Sequence, residues 1–386
     1  MLTGGVAVHT YGFSCIAVRT VMQENLPCEP HAVRYRVSCI MGMSNHNAGT
    51  SIRGQLSPQE DTVSALFSPI TVKGVDFRNR VVMPPMVTLV ADEQGCVTDE
   101  QIEHYARRAR AGTGLIIVEA TCVQKKGRIW ERGLGAWSDD HIPGLTRLAK
   151  AIKEEGAVAS IQLVHGGPQT SVELCGDRPG PSEVDPPRGG PRSRALRVAE
   201  MLAIQDSFAA AAVRCAAAGF EMVEIHGAHD FLLDSFLSAA TNRRTDEYGG
   251  SFEKRMRMMV ETCTRASRAI HDKALLCCRF SLFNKEPGEV SPYDLGALVG
   301  ALEGAGVGLL HASTDGALKG CFGSAKTIGQ WIKHTAQVPI VVAGGLGNPA
   351  DAERAVAGGH TDFAAVGQAM MDDPEWTQHA KAALGG

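Results

Sequence analysis

The chain has 386 residues, 44% of them apolar and 5% aromatic, and 38 basic against 42 acidic side chains give a net charge of −4. This is enough apolar material for one large α/β barrel or two ordinary domains. The slightly acidic balance and few aromatics argue against a nucleic-acid partner, and no apolar run reaches the roughly 20 residues of a membrane span.

Residues 1–62 show no sustained period and read as a poorly ordered extension, with one domain following over 63–386. Arg19 interrupts the apolar run 13–18 before it is long enough for a signal peptide. The eleven cysteines are scattered without a CxxC pair, which fits reduced thiols in a cytoplasmic protein. The same scatter gives zinc or iron–sulfur ligation no supporting spacing.

From Leu66 onward, short apolar runs alternate with segments of helical period. The runs are 80–83, 115–118, 158–164, 222–225, 275–280, 308–311, 340–343 and 363–366. Between them, Thr98 is placed to cap a helix. Helices are predicted over 206–218, ending at Gly219, over 252–270, and over 350–357, closing at Gly358. Continuous apolar strands alternating with helices indicate a parallel sheet covered by helices, and eight such units predict an α/β fold of the (β/α)8 barrel type. A doubly wound sheet would open with a glycine-rich turn, whereas the first strand here runs into Pro84-Pro85. The Gly- and Pro-rich stretch 166–191 reads as a long loop over the barrel mouth.

Barrel enzymes keep their chemistry at the C-terminal strand ends. Here those ends are Pro84 to Val87, Ala120, Gln162, His226 with His229, Arg279, Ser313, Gly344-Gly345 and Gly367-Gln368. Two imidazoles leaving one strand end can donate hydrogen bonds to a single oxygen. Gln162 offers a donor and an acceptor to the edge of a flat ring, and Arg279 a cation where charge collects on reduction. Glycines after strands seven and eight suit a phosphate. Taken singly, each residue has a plain structural reading: an edge amide, an ion pair, a tight turn, a satisfied core histidine. Their recurrence at successive strand ends favours a flavin mononucleotide site.

The segment 226–255, HGAHDFLLDSFLSAATNRRTDEYGGSFEKR, resembles the old yellow enzyme family of FMN-dependent NAD(P)H oxidoreductases. So do LFSPITVKGVDFRNRVVMPPM (66–86), HYARRARAGTGLIIVEAT (104–121), LGAWSDDHIPGL (134–145) and IQLVHGG (161–167). The resemblance covers about residues 64–380 and implies non-covalent FMN, NADPH or NADH as reductant, and a small enone or quinone-like substrate. It implies that His226 and His229 hold the substrate carbonyl and that Gln162 and Arg279 contact the isoalloxazine. Pro84, Met86 and Ala120 would line the ring, and Gly344, Gly345 and Gly367 would cradle the phosphate. It implies neither a nucleic-acid nor a membrane partner, and a homo-oligomer is compatible with it.

Four positions depart from the family pattern. Phe231 stands where the family has the tyrosine that protonates the substrate α-carbon. Val87 replaces a threonine or cysteine beside the flavin, Gln368 an arginine that pairs with the phosphate, and Pro168 a frequent arginine in the loop after the third strand, a change without a functional explanation. General acid catalysis is worth about 10²–10⁴-fold, so Phe231 admits isomerisation or dehydrogenation beside reduction. A barrel that binds flavin without turnover is a third reading. No cysteine follows Cys321, so the iron–sulfur relay of larger relatives is not expected.

Overall fold

In a computed structural model of the chain, residues 64–186, 189–281 and 289–385 are described. The extension expected over 1–62 lies outside them. The first elements are two very short strands, β1 (Ile70–Val72) and β2 (Val75–Phe77), paired antiparallel. Lys73 and Gly74 turn between them at φ 46° and 82°, the left-handed pair that a two-residue hairpin requires.

The barrel strands follow: β3 (Val81–Met83), β4 (Leu115–Cys122), β5 (Val158–Val164), β8 (Met222–Gly227), β9 (Leu275–Ser281), β10 (Leu309–Ser313), β11 (Ile340–Ala343) and β12 (Phe363–Ala365). They are parallel throughout, and β12 returns to pair with β3, closing an eight-stranded barrel. All eight predicted runs are barrel strands. They were legible because each strand is buried along its whole length, against the barrel interior on one side and helices on the other.

Helices α1 (Asp99–Arg110), α2 (Ile142–Glu154), α4 (Val198–Ala217), α7 (Arg257–Ile270), α8 (Pro292–Gly304), α9 (Ile328–Lys333) and α10 (Pro349–Ala357) cover the outside. The Thr98 side chain accepts from Gln101 N–H, as the cap reading expects. Two helix boundaries differ from the sequence reading. α4 starts eight residues earlier than 206, because Glu200 reaches back to Arg197 N–H and seeds a first turn before the alanine run. The helix expected over 252–270 is two pieces, α6 (Phe252–Arg255) and α7, with Met256 between them.

The stretch 166–191 is more ordered than a plain loop. It holds the one-turn α3 (Val172–Cys175) and a two-residue strand β6 (Pro179–Gly180) paired with β7 (Arg194–Ala195). A further short helix, α5 (Leu232–Leu237), follows β8, while α11 (Gln368–Asp372) and α12 (Trp376–Ala383) end the chain.

Inside the barrel, the N-terminal end is apolar. Leu115, Val158, Met222, Leu309, Val341 and Phe363 pack there, and Val72 and Phe77 of the hairpin close that end. The Phe77 ring meets Phe363 edge-on at 5.0 Å. The opposite, C-terminal end carries the polar side chains.

Candidate active site

Chain direction explains why the predicted residues meet. In a parallel barrel every strand ends at the same rim, so residues far apart in sequence converge there. Pro84, Met86, Arg279, Gly344, Gly345, Gly367 and Gln368 line one cavity of about 280 Å³, together with Ser313, Thr314 and Ala343.

The glycines are dictated by geometry. Gly344 has φ 148°, and a Cβ there would collide with the Thr314 carbonyl. Gly367 opens α11 without a side-chain cap, and a Cβ on it would lie 3.1 Å from Met86 Sδ. The first-turn backbone of α11 therefore faces the cavity beside three glycines, an arrangement that suits an anion. Arg279 adds a buried cation whose Nε has no hydrogen-bond partner among the described residues. Burial draws its pKa below the ordinary guanidinium value, with Glu224 opposing. These features fit the phosphate and the electron-rich ring edge of FMN. Gln368, where a charged partner would be expected, donates instead to Asp372 Oδ1 at 2.8 Å.

The histidines stand beside this cavity. His226 and His229 pack edge to face with ring centroids 5.1 Å apart. His229 and Asp230 both have φ 61°, a left-handed pair that turns the chain sharply off the strand end. Ser313 joins the two halves of the site: its Oγ accepts from Arg279 Nη2 at 3.0 Å and lies 3.0 Å from His229 Nε2.

A third wall is apolar. Phe231, Ala120, Cys122 and Val164 form one buried cluster, with Val87, Ile129, Trp130 and Trp137 packed on it. The Phe231 ring lies 5.1 Å from His226 and 6.2 Å from Trp130. Ala120 reaches this wall because the β4 register shifts between Val118 and Thr121. That bulge turns Glu119 so that its carboxylate accepts from Thr88 N–H at 2.8 Å, from Thr88 Oγ1 at 2.6 Å and from Gln101, which anchors the loop carrying Val87. Burial pushes the Glu119 carboxyl up, and the Thr88 hydrogen bonds oppose it.

Gln162 completes the set from the interior, where its Nε2 donates to Glu224 Oε1 at 2.8 Å. The strand-end residues singled out from the sequence, with Phe231, thus sit at one rim or on the strands directly beneath it. Four contributors were not singled out: Glu224, Cys277, His311 and Trp130. The first three each lie two residues before a rim residue on the same strand, and period-two alternation could have found them. Trp130 sits in a loop that carries no such signal.

The sequence pattern of the NADH:flavin oxidoreductase / NADH oxidase family matches residues 65–385. A NADH oxidase of Thermoanaerobacter brockii is 36% identical over 333 residues, covering 82% of this chain but 50% of the relative, so the chain spans about half of that protein's length. A NADPH dehydrogenase of Geobacillus thermodenitrificans is 34% identical over 327 residues, covering 83% of this chain and 95% of the relative. Among solved structures, the old yellow enzyme homologue from Zymomonas mobilis superposes with a TM-score of 0.72 at 27% identity, covering 80% of this chain and 90% of that one.

Proposed function

The chain belongs to the NADH:flavin oxidoreductase / NADH oxidase family, and from that premise we propose that it is an FMN-dependent enzyme that reduces a C=C bond conjugated to a carbonyl, at the expense of NADPH or NADH. Bound FMN would supply the hydride relay between the nicotinamide and the alkene β-carbon. The phosphate would be held by Gly344, Gly345 and Gly367, the ring edge by Gln162 and Arg279, and the ring faces by Pro84, Met86, Val87 and Ala120.

The protein's own contribution is electrostatic. His226 and His229 donate to the substrate carbonyl oxygen, where negative charge grows as the enolate forms. The observation that carries this reading is Ser313, which ties His229 to Arg279 and so joins a carbonyl clamp to the cofactor cavity. Phe231 has no hydroxyl and sits in an apolar wall, so the proton for the α-carbon comes from solvent. That favours reduction with slow protonation; it also leaves isomerisation of the alkene as the competing outcome.

Product analysis separates the two. FMN-reconstituted protein is incubated with NADPH and 2-cyclohexenone under nitrogen, in D₂O and in H₂O. The proposal expects the saturated ketone, with deuterium at the α-carbon in D₂O. Double-bond migration without net consumption of nucleotide would replace it with the isomerase reading.

A further inference from the structure

We propose that Glu224 is a positioning residue that fixes which face of the Gln162 amide is presented to the pyrimidine edge of FMN. The inference rests on the FMN reading above and concerns side chains inside the barrel that the hydride chemistry does not touch.

Gln162 on β5 and Glu224 on β8 are register neighbours, and both point into the barrel. Glu224 is fully buried. Its Oε1 accepts from Gln162 Nε2 at 2.8 Å, while Oε2 accepts from His311 Nδ1 at 2.7 Å and from Cys277 Sγ at 3.3 Å. Donors from β5 on one side of β8, and from β9 and β10 on the other, therefore converge on one carboxylate. Burial opposes its charge, but His311 and Arg279 outweigh that and keep the carboxyl below the usual range. Burial also draws the His311 pKa below its ordinary value, against the pull of Glu224; facing a carboxylate that can only accept, its Nδ1 is the donor. Burial and the adjacent carboxylate push the Cys277 thiol up, so it too stays protonated as a donor.

The consequence for Gln162 follows from the chemistry of the groups. A primary amide presents an acceptor on one side and two donors on the other, and the two are nearly equal in size. A carboxylate can only accept. It therefore selects the nitrogen and leaves Oε1 on the far side of the amide. A flavin's pyrimidine edge has one N–H flanked by carbonyl oxygens, and it needs an acceptor facing that N–H. Glu224 thus makes the amide orientation a property of the empty protein, so FMN binding does not have to select it. His311 and Cys277 serve this by holding the other carboxylate oxygen, which leaves Oε1 for Gln162. Replacing Glu224 by the isosteric glutamine removes the constraint, because a glutamine can pair with either face of its neighbour.

The test is a double-mutant cycle on FMN affinity, read by quenching of flavin fluorescence as apoprotein is titrated. Wild type, Q162A, E224Q and Q162A/E224Q are compared. E224Q should bind FMN roughly tenfold more weakly, and in the Q162A background the same change should cost less than about twofold, because the group it orients is gone. E224D keeps the charge but draws it back by one methylene, so it should show the same non-additivity and serves if E224Q does not fold. Penalties that multiply, or E224Q binding FMN as wild type does, would overturn the role of Glu224 and leave the flavin reading intact. Wild-type apoprotein that does not bind FMN would overturn both.

Discussion

The two ends of the barrel interior are built from the same alternating strands and are filled in opposite ways. At the N-terminal end, apolar side chains from the strands meet Val72 and Phe77 of the hairpin. Towards the C-terminal end the inward positions become Gln162, Glu224, His226, Arg279, His311 and Ser313, and the backbone at His229 and Asp230 is left-handed. Burying charge and holding left-handed backbone both cost stability. One end supplies the packing that lets the other carry the chemistry, so damage to each end should show in a different measurement.

The largest separation is expected at the histidine clamp. H226A/H229A should lower kcat/KM for 2-cyclohexenone by about 10³-fold, since a single oxyanion donor is worth about 10²–10³-fold. Its unfolding midpoint should barely move. A comparable fall in FMN affinity would break the separation, because it would make the histidines part of the cofactor cavity. The mirror experiment is F77A. Emptying this buried ring should cost about 3–5 kcal/mol in denaturant unfolding at constant FMN affinity. A folded F77A that has lost FMN would show that the plug shapes the rim.

pH sharpens the comparison from the rim side. Burial lowers the His165 pKa from 6.5 to about 4, and its Nδ1 accepts from Gly167 N–H at 3.0 Å, a bond that needs the neutral ring. A base with a depressed folded pKa contributes stability that is complete above pH 6.5 and declines as the pH falls towards 4. His104 is lowered to about 4 by burial and by Arg108, so it acts in the same direction. Each fully neutral histidine contributes up to about 3 kcal/mol at neutral pH, less for the partly exposed His104. Chemical unfolding at pH 7.5 and 5 should show the decline, and H165Q should flatten part of it. An unchanged slope in H165Q would remove His165 as a cause.

The smallest effect is a gain. F231Y should raise alkene-reduction turnover roughly tenfold by restoring an acid near the α-carbon, below the roughly 10²–10⁴-fold of a fully positioned acid because solvent already supplies the proton. The increase should vanish when turnover is limited by the nucleotide half-reaction. No increase under limiting alkene would place the proton elsewhere.

How much of this was written in the sequence divides along the same line. The eight strands were legible because burial on both faces makes each a continuous apolar run. The rim residues were legible because each lies near the end of such a run or just after it. The hairpin was not, since three-residue strands carry no measurable period, although Lys73-Gly74 is a turn signal in retrospect. The two-turn head of α4 was hidden because it depends on Glu200 reaching back to Arg197. The Glu224 cluster was hidden for a different reason. Period-two spacing turns a glutamate, a cysteine and a histidine inward on three strands, but that they meet at one carboxylate shows only once the register is known.

The central claim is that the polar rim binds FMN and lets a nicotinamide reduce it, and one anaerobic measurement tests it most directly. The protein is reconstituted with FMN, freed of excess cofactor, and mixed with NADPH and, separately, NADH while its visible flavin absorbance is followed. The account predicts bleaching by at least one nucleotide and return of the colour when an enone is added. Flavin that stays bound and yellow with both nucleotides would contradict it.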